Sequence, residues 1–209
     1  MKIAAVSDLH GYLPNIPECD LLLIAGDICG PSNTFSQMKE LTNNFKPWLA
    51  NVPAKRKIIV AGNHDIIFQT NPELLPQWDA DTTYLQDDGC EYEGLKIYGS
   101  PWQIRFCDWA FNEDEVNLAY IWGKIPDDTD ILVTHSPPWG YGDVSIGGEH
   151  LGSPSLARRV EAIRPELHVW GHIHFSYGLY FPFADVMGAN VALCGESYKP
   201  DHKVQGFVL

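Results

Sequence analysis

Lys2-Ile3-Ala4-Ala5-Val6-Ser7-Asp8-Leu9-His10 is a run of apolar residues that stops at Ser7 and ends on an acid and an imidazole two residues apart. The apolar part has the length and continuity of a strand buried on both faces. The polar part falls just past its carboxyl end. The same figure returns four times. Residues 21–25 run into Gly26-Asp27, 58–61 into Gly62-Asn63-His64-Asp65, 131–134 into His135, and 167–170 into Gly171-His172-Ile173-His174. In α/β proteins ligands gather in the crevice outside the carboxyl ends of strands. Residues remote in sequence are therefore expected to meet.

Seven of them carry metal-ligand chemistry: Asp8, His10, Asp27, Asn63, His135, His172 and His174. Carboxylate and amide oxygens with neutral imidazoles, and no obligatory thiolate, suit hard-to-borderline divalent cations. The first four clusters alone have an ordinary reading. Asp8 could cap a loop, Gly26-Asp27 is common turn chemistry, Asn63 suits a left-handed turn, and His135 could be a satisfied core histidine. Gly171-His172-Ile173-His174, with two imidazoles two residues apart, points to a metal site by itself, and the joint occurrence of the clusters at the ends of five expected strands extends that reading to the whole set. His168, inside the last strand, reads as structural, and His202 as an exposed residue near the end of the chain. His150 is a candidate substrate contact in a Gly-rich loop, and Cys29 reads as a small buried hydrophobe.

The elements between the motifs alternate as an α/β layer architecture requires. Phe35, Met38, Leu41, Phe45 and Trp48 recur at helical spacing, with a kink or restart expected at Pro47. Residues 84–85, 91–92 and 96–98 read as short strands around turns at Gly89 and Gly94. Asn112 is the expected cap of a helix whose core face holds Val116, Ala119, Tyr120 and Trp122. Residues 136–152 read as a long functional loop, and Ser153-Pro154 as a helix start. Residues 177–181, 191–194 and 206–208 read as sheet. No domain boundary is visible, so residues 1–209 are expected to form a single domain.

Composition narrows the function. With 14 basic against 27 acidic residues the formal charge is −13, which excludes a broad nucleic-acid or anionic-membrane surface. No apolar run approaches the ~20 residues of a membrane span. The apolar part of the N-terminal stretch is too short for a secretory signal. The five cysteines, odd in number and without CxxC spacing, are expected to be reduced thiols in a cytoplasmic setting.

The ordered set D-x-H, G-D, G-N-H-D, a lone H and G-H-x-H resembles the calcineurin-like metallophosphoesterase superfamily. Gly99-Ser100-Pro101-Trp102, the segment 130–138 and the segment 164–174 are closest to its metallophosphoesterase-domain-containing group. After Asp27 the chain reads Ile28-Cys29-Gly30, so the Arg-bearing extension of the Ser/Thr protein phosphatases is missing. The resemblance implies two packed mixed β-sheets flanked by helices, a four-layer sandwich. It also implies two divalent metal ions, drawn from Mn, Fe, Zn, Co or Ni with Mn favoured. Asp8, His10, Asp27 and His174 would hold one, and Asp27, Asn63, His135 and His172 the other, with Asp27 as bridge.

The chemistry expected of such a centre is phosphoester hydrolysis by in-line attack of a metal-bridging hydroxide. His64 is the expected proton donor to the leaving oxygen, with Asn63 and His64 contacting substrate. Asp65 is expected either to orient His64 or to brace the loop. Aromatic residues in nearby loops, Trp102, Phe106, Trp109, Trp139 and Tyr141, offer stacking surfaces, Trp139 foremost. Arg105 could assist a phosphate. The expected substrate is a small phosphodiester, nucleotides and cyclic nucleotides included. A phosphomonoesterase or nucleotidase, or a metal-binding regulatory module with weak activity, are the alternatives.

Overall fold

The computed structural model describes residues 1–209. β1 (Lys2–Val6), β2 (Cys19–Ala25), β3 (Ala54–Val60) and β4 (Thr82–Tyr84) are parallel neighbours in that order. β5 (Asp88–Tyr92) and β6 (Leu95–Ser100) form a hairpin whose turn places Glu93 and Gly94 at positive φ. β7 (Gln103–Ile104) and β8 (Asn112–Glu113) make a small parallel ladder. β9 (Ile131–Thr134), β10 (Leu167–Trp170), β11 (Gly178–Phe183) and β12 (Val186–Asn190) complete a second sheet in the order β11-β12-β10-β9-β6-β5. β13 (Gln205–Val208) returns antiparallel to β1 at the edge of the first sheet. Both sheets are mixed, in an α/β arrangement.

Strand alternation sets the layers. Ile3, Ala5, Leu21, Leu23, Ile58 and Val60 point at Ile97, Ile131, Val133, Leu167 and Val169 of the other sheet. Their neighbours Ala4, Val6, Leu22, Ile24 and Ile59 point the other way, onto Leu41, Phe45 and Leu49 of the first helical layer. In the second sheet Tyr98, Leu132 and Val186 pack on helices α4 (Glu115–Trp122) and α5 (Pro154–Ile163). Side chains that alternate between two buried faces produce the unbroken apolar runs of the sequence.

In the first helical layer, α1 (Thr34–Glu40) passes through a π-helical turn at Leu41–Phe45 into α2 (Lys46–Asn51). The restart expected at Pro47 is thus met by a π-turn, with Pro47 following it directly as the second residue of α2. Phe35, expected on the core face, is instead 59% exposed beneath the Lys39 ammonium. α3 (Ile66–Thr70) follows the third motif directly.

Four expectations shift. The cap of α4 is Asp114, whose carboxylate accepts from Asn117 N, whereas Asn112 lies in β8. The core face of α4 carries Leu118 and Trp122, and Val116 and Tyr120 are 81% and 71% exposed. The Trp122 indole N–H bonds Ser153 Oγ at the start of α5, and this contact with a remote helix selects the face. Gly89 sits within β5 rather than in a turn. Residues 191–194 make only isolated bridges, Ser7 with Ala192 and Cys194 with Pro200.

Those bridges matter for the site. Ser7 N donates to Val191 O and Leu193 N to Ser7 O, lacing the carboxyl ends of the two sheets together. Residues 136–152 form the expected long connection, pinned at Asp143, which accepts from Gly140 N, Gly152 N and the His150 ring. All five cysteines are free, and Cys29 is fully buried. No helix is long and apolar enough to cross a membrane.

Candidate active site

The five motifs lie where the carboxyl ends of the two sheets meet. Pairing continues past the strands: Asp8 N donates to Gly26 O, His10 N to Asp27 O and Gly11 N to Ile28 O, each at 2.9 Å. The first two motifs are therefore held in register. Asp8, His10, Asp27 and His172 all have positive φ, between 44° and 69°. Left-handed backbone at a non-Gly residue costs about 1–2 kcal/mol. Four such residues among seven candidate ligands mark backbone shaped for a site.

The glycines that open three of the motifs are required by close approach. A Cβ on Gly26 would lie 2.3 Å from His135 Nδ1, and one on Gly62 2.3 Å from Asp27 Oδ1. On Gly171 it would lie 2.1 Å from Asp8 Oδ2. Each glycine admits the functional side chain of another motif.

All seven candidate ligands come together. His10 Nε2 and His174 Nε2 are 3.3 Å apart, and His174 Nε2 is 3.1 Å from Asp8 Oδ1. On the other side His135 Nε2 lies 2.8 Å from Asn63 Oδ1, with the His172 ring 5.1 Å from the His135 ring. Asp27 stands between: Oδ2 is 3.9 Å from His10 Nε2 and Oδ1 3.5 Å from His135 Nε2. Asp8, His10 and His174 form one compact donor group, and Asp8, Asp27 and His135 another. By distance alone His64 also joins His10 and Asp27, its Nε2 being 4.0 Å from Asp27 Oδ2.

The charges show what the site holds against. Burial disfavours charge on Asp8, yet the His174 hydrogen bond brings its pKa down to about 2. Asp27 is likewise held well below the usual carboxylate range, burial being outweighed by His135, His64 and His10. Conversely burial opposes protonation of His135 and His174, but Asp27 and Asp8 raise each to about 9. Burial and the neighbouring His135 drive His172 down to about 3.

The donor set fits divalent cations. Two imidazole nitrogens converge at 3.3 Å beside carboxylates, and the buried His10 Nδ1 and Asn63 Nδ2 have no partner in the protein. His135 Nδ1 is fixed by Ala25 O and His174 Nδ1 by Gly195 O, leaving each Nε2 to face the centre.

Asp65 does not bond the His64 ring. Its carboxylate accepts from Gly62 N, Ile28 N and Cys29 N, so it braces the loop, and burial beside Asp27 raises its pKa to about 7. Adjacent side chains diverge, and this one turned away from the cleft. Trp139 does not line the cavity either; it lies against the ring of His150, which Asp143 holds. His168 is buried on Thr134 Oγ1, as its structural reading requires, and His202 is half-buried against Tyr177 rather than exposed.

The cavity above the centre measures about 240 Å³. Asp27, Asn63, His64, His172 and His174 form its floor, and Ile104, Arg105, Phe106, Trp109, Leu151 and Tyr198 its apolar walls and rim. Tyr198 and Glu196 have no counterpart in the sequence reading, because residues 195–200 carry no periodicity or ligand motif. Gln37 was also missed. Its amide donates to His64 O and accepts from Ile67 N, holding the third motif from beneath. A polar residue one turn before Leu41, inside an apolar stripe, was the available signal.

A calcineurin-like phosphoesterase family model matches residues 1–176. The chain is similar to metallophosphoesterase domain-containing protein 1 of Homo sapiens, 32% identical over 95% of this chain and 68% of that one. It is similar also to UPF0046 protein K07C11.7 of Caenorhabditis elegans, 34% identical over 86% of this chain. It spans about 65% of that relative's length. In fold it is similar to TT1561 of Thermus thermophilus, with TM-score 0.60 and 14% identity over 91% of this chain and 89% of that one. Strand-end motifs, mixed sheets and family model agree: the chain belongs to the calcineurin-like phosphoesterase family.

Proposed function

We propose that this chain is a metal-dependent phosphodiesterase acting on small diesters, nucleotides and cyclic nucleotides among them. The family supports metal-dependent phosphoester hydrolysis, and its members typically bind two divalent cations. Asp8, His10, Asp27 and His174 would hold one cation and Asp27, Asn63, His135 and His172 the other. Bound there, they would supply positive charge for the phosphate oxygens and an activated water. Asp27 is the observation that carries this reading, since its two oxygens face imidazoles of different groups.

This chain's own residues do the rest. Asn63 Nδ2, buried and without a protein partner, donates to a phosphate oxygen. The His64 imidazole, on the cavity floor, delivers a proton to the departing ester oxygen. Ile104, Phe106, Trp109 and Leu151 give an uncharged organic group an apolar wall, and Arg105 offers one positive charge at the rim. A diester presents such a second organic group, whereas a monoester presents a second negative charge instead. The small cavity and the −13 charge speak against a nucleic-acid polymer.

The test is a substrate panel after reconstitution with Mn²⁺. Bis(4-nitrophenyl) phosphate is compared with 4-nitrophenyl phosphate, then cyclic nucleotides with nucleoside monophosphates. Higher kcat/KM on the diesters supports the reading. Preference for monoesters replaces it with a phosphomonoesterase, and absence of turnover with all four points to the regulatory module.

A further inference from the structure

The His64 ring has no orienting hydrogen bond. His135 and His174 each anchor one ring nitrogen on a backbone carbonyl, and His150 is anchored by Asp143. His64 has neither, and the Asp65 carboxylate beside it is committed to three backbone N–H groups. A proton donor to a leaving group must still be held in one orientation.

The neighbours of the ring are aromatic. Trp109 lies 4.3 Å from it, centroid to centroid, tilted by 44°, the His10 ring meets it edge-on at 4.9 Å, and Tyr198, packed on His10 at 4.8 Å, approaches it edge-on at 5.9 Å and 77°. Phe106 backs Trp109 at 5.5 Å. Each jaw is tied by its backbone to a group that holds a candidate ligand in place. Ala110 N, next to Trp109, donates to Asn63 O. Tyr198 N donates to Gly195 O, the same carbonyl that anchors His174 Nδ1. Tyr198 itself is held at φ 56°, a conformation that the turn imposes and that turns its ring over His10, His64 and His174.

We infer that Trp109 and Tyr198 are positioning residues that clamp the His64 imidazole for protonation of the leaving oxygen. The inference rests on the hydrolase reading above and adds two residues that no motif contains. Packing here does the work of the missing hydrogen bond. Aromatic contacts of this geometry are individually modest, so two jaws are needed to hold one ring.

The experiment reads leaving-group dependence. Methyl aryl phosphates with leaving phenols from 4-nitrophenol to unsubstituted phenol are hydrolysed by the Mn²⁺-loaded protein and by Trp109→Ala and Tyr198→Ala. A good leaving group needs little protonation, and a poor one needs much. Both variants are expected to lose roughly tenfold or more in kcat on the phenyl ester and under about threefold on the nitrophenyl ester, whatever their KM does as wall residues are shortened. Trp109→Phe and Tyr198→Phe are expected to restore the wild-type pattern. Equal losses on every ester, or no loss, overturn the clamp. Crystal structures of the two alanine variants give a readout independent of turnover. The His64 ring is expected in more than one orientation, and a single unchanged rotamer in both also overturns the inference. If the wild type hydrolyses no ester, the hydrolase reading fails on its own and ring order still decides the clamp.

Discussion

Gly171 and Asp8, 163 positions apart in the chain, meet so closely that a methyl group on the glycine would sit 2.1 Å from the Asp8 carboxylate and 2.2 Å from Ser7 Oγ. The same carboxylate accepts the Ser7 hydroxyl and His172 N. The glycine of the last motif is thus a condition for the acid of the first.

Gly171→Ala is therefore expected to displace Asp8 and empty the adjacent position. Overpacking at such a site costs about 1–3 kcal/mol. Urea unfolding should show that loss, and metal analysis should show at least one equivalent missing. A variant with full metal content and wild-type stability would contradict the close contact.

Asp27→Asn isolates the charge. Asp27 sits at φ 52°, and Asn tolerates left-handed backbone as well as Asp does. The fold should persist, while the amide lacks the two charged oxygens that a shared position needs. Metal content after dialysis is expected to drop more than tenfold, with kcat following. Retention of both ions by the variant would remove Asp27 from the bridging role.

His168 makes a prediction about acid. It is fully buried, its Nε2 is bonded to Thr134 Oγ1, its Nδ1 has no partner, and burial depresses its pKa to about 3. The unfolded chain takes up this proton below about 6.5, and the folded one only near 3. The stability associated with a neutral His168 is therefore complete above pH 6.5 and is lost as pH falls toward 3, at up to about 1.4 kcal/mol per pH unit. His168→Gln should be less stable at pH 7 but lose stability less steeply between pH 6 and 4.5. Urea titrations in chelator, so that metal loading does not differ, measure both slopes. Parallel curves would count against a neutral buried His168.

The donors of the site were legible because each stands at a fixed offset from a strand end, and strand ends are local events. Val6, Ala25, Val60, Thr134 and Trp170 close the five strands, and the ligand-type residues follow within four positions. What those residues could not reveal was the direction of each side chain. Asp65 follows His64 directly, yet three backbone donors from two different loops turned it out of the cleft. On α4 helical spacing placed Val116 and Tyr120 on the core face with Trp122, whereas the packed face runs through Leu118 and Trp122, where Ser153 gives the Trp122 indole a partner.

The chain by itself determined which elements form, which atoms could hold cations, and which family's motifs it carries, because alternation, turn chemistry and donor type are written in neighbouring residues. Tertiary structure alone decided that Trp109 and Tyr198 grip His64, that Trp139 lies outside the cavity, and that Gly171 makes room for Asp8. These relationships join segments tens to more than a hundred residues apart. Packing between such segments leaves no periodic signal in either of them.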